Sequence, residues 1–439
     1  MNDAAYESYK EAIRNARAET YGGVVIDIVG LLIECSGPKV RMGEMCRLIP
    51  PSGAPVLGEA VGFRGGRVLL MPYGDLDGIA PGTVVVGTGR ELRVPVGKGM
   101  LGRVIDALGF PMDKKPWWRV EAYYPTMERP PAPLDRGRID SPLPTGVRSI
   151  DGLLTLGEGQ RIGIFSGSGV GKSTLMGMIA RNTSGDVNVI ALIGERGREV
   201  KEFIERDLGE EGLRRSVVVV ATSDEPALMR IKAAWVATAV SEYFRDKGLS
   251  VLLMMDSVTR WCMAQREVGL AVGEPPTTRG YTPSVFSNLP KLLERAGRSS
   301  RGSITGIYTV LVEGDDMDEP IADAARGILD GHIVLSRDLA QMGHYPAVDV
   351  LASVSRLMSS VSRAEHIEAA QKMRAILAAY RKAEDLVNIG AYVRGSNPKI
   401  DEALDYIDRV NEFLKQGTGE KSSFEETVSR LRTLFGGGK

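Results

Sequence analysis

Between Gln160 and Ile179 an apolar run, Gln160-Arg-Ile-Gly-Ile-Phe165, opens into Ser166-Gly-Ser-Gly-Val-Gly-Lys-Ser-Thr174 and then into the helix-forming Leu175-Met-Gly-Met-Ile179. A glycine-rich loop between a buried strand and a helix is a phosphate-binding device, and it commits the surrounding chain to an α/β fold. Backbone N–H groups along Gly167, Ser168, Gly169, Val170, Gly171 and the helix start through Thr174 favour phosphate oxygens. Lys172 reaches the β- and γ-phosphates, and the Ser173 hydroxyl is a ligand for Mg²⁺. The first motif position holds Ser166 where glycine is usual, while Gly167 and Gly169 keep the loop flexible. The plain alternative is a glycine turn with a surface lysine, which the flanking strand and helix argue against.

The rest of the central region agrees with that commitment. Apolar runs at Val187–Ile193, Val217–Ala221, Val251–Met255, Ile304–Leu311 and Ile333–Leu335 alternate with longer helical patterns, which predicts a mainly parallel sheet covered by helices. Upstream, short β-branched runs at Val24–Ile28, Met45–Ile49, Val68–Met71 and Val84–Val86 are punctuated by glycine, the signature of a small β-barrel over residues 21–95. Residues 96–144 read as an extended connector ending in a proline-rich stretch, and 96–355 as the P-loop domain that includes this linker. Beyond Arg356, apolar residues recur at steps of three and four, so 356–439 reads as a helical domain, its helices separated by Gly390, Gly395 and Pro398 and again by Gly417 and Gly419. Residues 1–20 place Tyr6, Tyr9, Ile13 and Ala16 at helical spacing, an amphipathic helix that packs on the body or docks a partner.

A phosphate loop needs a second carboxylate, and Asp256 stands at the end of the run Val251-Leu-Leu-Met-Met-Asp256, where ligands of open α/β sheets gather. Its alternative role is to cap the helix at Val258. Glu195 ends another apolar run, Val189-Ile-Ala-Leu-Ile193, and from there a carboxylate can polarise water for in-line attack on phosphorus; a solvated loop carboxylate is the bland reading.

Charge excludes a globally basic nucleic-acid binder: 55 lysines and arginines face 56 aspartates and glutamates. No apolar run reaches the ~18 residues of a membrane span, and the amino terminus lacks the basic and apolar regions of a secretory signal, so a cytoplasmic location is expected. Cys35, Cys46 and Cys262 have no CxxC spacing and read as reduced, half-buried thiols; His332, His344 and His366 are scattered and carry no role. The stretch 279–301, with Arg279, Lys291, Arg295, Arg298 and Arg301 against Glu294, reads as a solvated helix face, or else as a subunit boundary or channel lining. Glu313, Asp315, Asp316, Asp318, Glu319 and Asp323 lack EF-hand spacing and read as loop caps and subunit contacts.

The phosphate loop SGSGVGKST, the run IGERGREVKEFI, MAQREVGLAVGEPPTTRGYTPSVFSNLPKLLERAG at 263–297, VEGDDMDEPIAD at 312–323 and HYPAVDVLASVSR at 344–356 together resemble the type III protein-export ATPases, with the flagellar branch the nearest match. The similarity runs from about Tyr21 through Gly395, and the family is itself related to the catalytic subunits of rotary ATP synthases. The resemblance implies Glu195 as catalytic carboxylate, Lys172 as phosphate-binding lysine, and Ser173 and Asp256 as magnesium partners. It further implies Tyr345 as the ring that stacks on adenine, against a core tyrosine, and Arg356 as an arginine finger for the neighbouring subunit, against an intrachain salt bridge.

The implied activity is Mg²⁺-dependent ATP hydrolysis by a homohexamer at the inner membrane. That assembly would release chaperone–cargo complexes and work with export-gate membrane proteins and a stator-like regulatory protein at the amino-terminal helix. A rotary synthase-type catalytic subunit and a ring-shaped RNA translocase are the alternatives. RNA is disfavoured because residues 22–95 offer only Phe63 and Tyr73 as stacking aromatics and balance their bases with acids, so no nucleic-acid partner is expected.

Overall fold

The computed structural model of the chain describes residues 22–435 apart from 313 and 315. The helix expected over residues 1–20, and Glu313 and Asp315 of the acidic run, lie outside the described residues. Six strands come first: β1 (Gly22–Val29), β2 (Leu32–Cys35), β3 (Glu44–Ile49), β4 (Val56–Arg64), β5 (Arg67–Pro72) and β6 (Val84–Glu91). They close into an antiparallel barrel in the order β1-β2-β5-β4-β3-β6 around Val25, Ile33, Leu48, Ala60, Leu70 and Val85. Sequence reading misses β2 and β4. The first is only four residues long, and the second carries Gly58 and Gly62, which weaken a strand signal. Cys35 and Cys46 are fully buried inside the barrel rather than half-buried, and burial pushes both thiols up to about 12, so neither is reactive near neutrality.

The described residues divide into two compact units: residues 22–93 with Pro226–Leu228 and Glu267–Pro275, and the remainder. The second unit is built on a nine-stranded sheet. Its main strands are β7 (Arg103–Asp106), β8 (Arg161–Ser166), β9 (Val187–Glu195), β10 (Ser216–Thr222), β11 (Ser250–Asp256), β12 (Ser303–Leu311), β13 (Gly331–Leu335) and β14 (Val348–Ser355). The spatial order is β14-β13-β8-β12-β11-β9-β10-β7, with β7 through β13 parallel and β14 antiparallel to β13. Strand β7 corrects the reading of 96–144 as connector alone. Its four residues sit between Gly102 and Gly109, and its partner β10 lies far downstream, so only non-local pairing reveals it.

Helices α1 (Arg148–Leu153), α2 (Lys172–Asn182), α3 (Ala227–Asp246), α4 (Pro283–Leu293), α5 (Pro320–Ile328), α6 (Ala364–Asn388), α7 (Pro398–Leu414) and α8 (Phe424–Leu434) accompany the sheet. Asn397 caps α7 with Pro398 in its first turn, and Ser423 caps α8. The stripe Ala370, Met373, Ile376, Ala403, Val410 and Phe413 joins the same apolar cluster as Ile164, Leu192 and Met254 of the sheet. Each buried Met, Ile, Val, Leu or Phe side chain among these contributes ~1.5–3 kcal/mol.

The basic stretch is not a solvated helix face. Arg295 is completely buried, its Nε 2.8 Å from Glu242 Oε1, and its guanidinium lies over Trp235; Arg279 pairs with Asp316 and Arg298 with Asp140. Helix α4 ends at Leu293 and so carries only Lys291 of these five cations. Of the acidic run, Glu319 caps α5, and Asp318 and Asp323 both face Arg326. No helix among the described residues is long and apolar enough to cross a membrane.

Candidate active site

Strand β8 ends at Ser166, and the chain then turns through Gly167, Ser168, Gly169 and Val170 into α2. Gly169 and Gly171 have φ of 77° and 90°, values that a Cβ strongly disfavours, so glycine at these positions sets the loop shape. Among the described residues no side chain caps the start of α2, which leaves the N–H groups of Lys172, Ser173 and Thr174 available to an anion at the positive end of the helix. Ser166, the departure from the usual motif, is buried, and its hydroxyl makes no hydrogen bond among the described residues. Its carbonyl accepts from Val312 N–H at 3.0 Å, so the substitution leaves the strand end intact.

The parallel sheet brings three sequence-distant charges to one edge. Leu192 of β9 is level with Asp256 at the end of β11, and β12 lies between β11 and the phosphate strand β8. Lys172 Nζ pairs with Asp256 Oδ1 and lies 3.6 Å from Glu195 Oε1. From the intervening strand, Thr309 donates to Asp256 Oδ1 at 2.7 Å. Sequence reading does not single out Thr309, because one hydroxyl in an apolar strand carries no signal until the neighbouring strand is known.

Burial disfavours the Lys172 ammonium, but the carboxylates of Asp256 and then Glu195 outweigh it and hold its pKa above the usual lysine value. Glu195 is pushed up to about 7, first by burial and next by the charge of Asp256, with Lys172 opposing. A carboxylate that titrates near neutrality is suited to take a proton from water. Ser223 N–H fixes the end of this strand by donating to Glu195 O at 3.0 Å.

The donor set also fits magnesium. Among the described residues no group of three or more His, Cys, Asp or Glu side chains forms a metal cage. Mg²⁺ bound to nucleotide usually takes one or two protein oxygens and completes its shell with phosphates and water. The buried carboxylate of Asp256 and the half-buried Ser173 hydroxyl, next to Lys172, match that pattern.

Tyr345 is 46% exposed, and two of its ring carbons lie 3.5 and 3.6 Å from where a Cβ on Gly171 would stand. The ring therefore flanks the phosphate loop while exposed, and is not a core tyrosine. Arg356 is the one proposed site residue that the chain does not bring to this edge. Ser166 and Val348 are both level with Leu335, whereas Ser355 is level with Gly331 at the opposite end of β13. Strand β14 bulges between Asp349 and Val354, so Val348 to Ser355 covers the four steps from Leu335 to Gly331, about 13 Å at ~3.3 Å per residue, and Arg356 lies beyond that far end. The Arg356 side chain is exposed, donates only to Arg326 O at 3.3 Å, and makes no ion pair among the described residues.

Beside the loop a cavity of about 180 Å³ is lined by Ser166, Gly167, Val312, Leu335 and Arg337. A larger one of about 630 Å³ is lined by Tyr124, Arg129, Leu134, Arg245 and Ser299 and includes no residue of the loop. In the barrel, Tyr73 is buried with its hydroxyl on Glu59, which leaves Phe63 as the exposed member of the two aromatics considered for base stacking.

Three family models match the chain: the ATP synthase alpha/beta family beta-barrel domain over 25–89, the nucleotide-binding domain of the same family over 146–355, and the T3SS EscN ATPase C-terminal domain over 362–433. The flagellum-specific ATP synthase of Bacillus subtilis is 58% identical over 416 residues, covering 94% of this chain and 95% of that protein. The type 3 secretion system ATPase of Xanthomonas euvesicatoria is 54% identical, covering 94% and 93%. Among solved structures, the assembled ATPase EscN of the enteropathogenic E. coli type III secretion system superposes with a TM-score of 0.89 at 48% identity, over 94% of this chain and 99% of that one. The same ATPase in complex with its central stalk EscO gives 0.87 at 47%, over the same shares.

Proposed function

Because the chain belongs to the type III export ATPase family, which includes flagellum-specific ATP synthases and type 3 secretion system ATPases, we propose that it hydrolyses MgATP to drive protein export, most directly in flagellar assembly. It is an ATP hydrolase, and the rotary synthase subunits are its broader relatives. The observation that carries the mechanism is the convergence of Lys172, Glu195 and Asp256 at one sheet edge beneath the phosphate loop.

In this reading the N–H groups from Gly167 through Thr174 and the Lys172 ammonium bind the phosphates, and Ser173 and Asp256 hold Mg²⁺. The metal, when bound, supplies positive charge to the phosphate oxygens. Lys172 exchanges part of its carboxylate pairing for phosphate oxygen. Glu195 accepts a proton from water as the water oxygen bonds to the γ-phosphorus and the bond to the β–γ bridging oxygen breaks, giving ADP and phosphate. Tyr345 offers its exposed ring to adenine, where a flat ring gains dispersion and excludes water.

Arg356, beyond the end of β14 opposite the phosphate loop, serves a second copy, and its fixed charge suits the transferring phosphoryl group. That division of labour is the reason to propose a homohexamer with a site at each subunit boundary. It would use the barrel over 21–95, the P-loop domain over 96–355 and the helical domain over 356–439 as separate modules. The partners proposed with it are a stator-like regulatory protein at residues 1–20, export-gate membrane proteins at the cytoplasmic face of the inner membrane, and chaperone–cargo complexes. The test is Glu195→Gln assayed for both binding and turnover. It should retain MgATP affinity and lose ~10²–10⁴-fold in kcat; turnover above about a tenth of wild type would remove Glu195 as the base.

A further inference from the structure

We infer that Gln416, in the connector between α7 and α8, is a positioning residue for the nucleotide base that acts through Tyr345; this rests on the reading of Tyr345 as the adenine-stacking ring. The Tyr345 hydroxyl makes no hydrogen bond among the described residues and the side chain is exposed. Its placement therefore depends on its own backbone, and Gln416 N–H donates to the Tyr345 carbonyl at 2.9 Å.

That N–H is itself held from three directions. Gln416 is 4% exposed. Its Oε1 accepts from Arg148 N–H at 2.8 Å, and its Nε2 donates to Gly146 O at 2.8 Å and to Glu420 O at 3.0 Å. Both donors of the amide and one lone pair of its oxygen are thus committed. The partners are fixed in turn: buried Asp151 accepts from Thr145 N–H at 2.8 Å, Thr145 Oγ1 at 2.7 Å and Gly146 N–H at 2.8 Å, which locks the turn that presents Gly146 O. Arg148, 3% exposed, donates through Nε to Phe413 O at 2.9 Å and pairs with Glu420, and Arg181 of the phosphate helix donates to Thr418 O at 2.7 Å.

The connector is thereby anchored to the start of α1 and the end of α2, and Gln416 transmits that anchorage to the ring beside Gly171. A scaffold this fully satisfied is rigid, and rigid support is what keeps a stacking ring in register with its ligand. The base, not the phosphates, is the part of the nucleotide that should register its loss.

Gln416→Ala is compared with Tyr345→Ala and with the double variant. The expected result for Gln416→Ala is a KM for ATP raised about 3- to 10-fold with kcat retained, a parallel loss in ADP affinity, and unchanged affinity for inorganic pyrophosphate, since part of a stacking interaction is lost. In the Tyr345→Ala background the second substitution should add nothing. Should Gln416→Ala fail to fold, Gln416→Met, which keeps length and volume, takes its place. Equal loss of pyrophosphate and ADP affinity, a fall in kcat at unchanged KM, or additive effects with Tyr345→Ala overturn the proposal. If Tyr345→Ala raises KM but Gln416→Ala does not, only the role of Gln416 fails. If Tyr345→Ala leaves KM unchanged, the stacking reading fails and takes this one with it.

Discussion

Glu195→Gln should make the nucleotide-free protein more stable at pH 8 while nearly silencing it. Glu195 is pushed up to about 7 from an ordinary 4.5, by burial and by the charge of Asp256. Because the folded pKa lies above the unfolded one, the folded state holds the proton more tightly. Below pH 4.5 both states are protonated and nothing is lost. Between 4.5 and 7 the unfolded chain ionises first and stability falls; above 7 the whole difference has been lost. About 2.5 pH units at 1.36 kcal/mol each give a ceiling of ~3 kcal/mol. Glutamine mimics the protonated carboxyl and escapes that loss, and Lys172 keeps Asp256 as its partner. Thermal denaturation without nucleotide should therefore show Glu195→Gln melting above wild type at pH 8, with the two converging as pH falls toward 4.5. Equal melting temperatures at pH 8, or a less stable variant, would refute the claim that this carboxylate is held under strain for catalysis.

The same shift predicts that kcat/KM rises with pH through about 7 as Glu195 loses its proton in the free enzyme, an acid limb that steady-state rates from pH 5.5 to 8.5 should show and that Glu195→Gln should lack. Arg295→Ala should destabilise the protein by ~3–5 kcal/mol, because it strands Glu242, itself 5% exposed, without its cation. Denaturant unfolding checks this, and a loss below about 1 kcal/mol would mean that Glu242 is rescued by another group.

Much of this architecture is legible in the sequence for local reasons. The phosphate loop is contiguous, the β-branched runs alternate or cluster as strands must, and the carboxyl-terminal stripe has helical period. Glu195 and Asp256 are found because each ends an apolar run, which places a charge at a strand's carboxyl end before the strand order is known. What escapes the sequence is non-local. Strand β7 is defined only by pairing with β10, and Thr309 matters only because β12 lies beside β11. Gln416 is one polar residue among many until the fold buries it against Gly146 and Tyr345. Arg295 looks like a surface cation because its partner Glu242 lies 53 residues away. The position of Arg356 at the far edge likewise follows from β14 running antiparallel, a direction that no local pattern encodes.

That far edge leads to the most direct test of the account, which holds that a working site takes Lys172 and Glu195 from one copy and Arg356 from another. Arg356→Ala and Lys172→Ala are each expected to be nearly silent, the first by roughly 10³–10⁵-fold. The two are mixed over a range of ratios, mixed assemblies are verified by native mass, and phosphate release is measured. Hydrolysis should reappear in the mixture, with a maximum at intermediate ratios, because an intact Lys172 site then meets a neighbour with an intact Arg356. Verified mixed assemblies that stay silent at every ratio, or an Arg356→Ala protein that hydrolyses ATP at the wild-type rate, would contradict it.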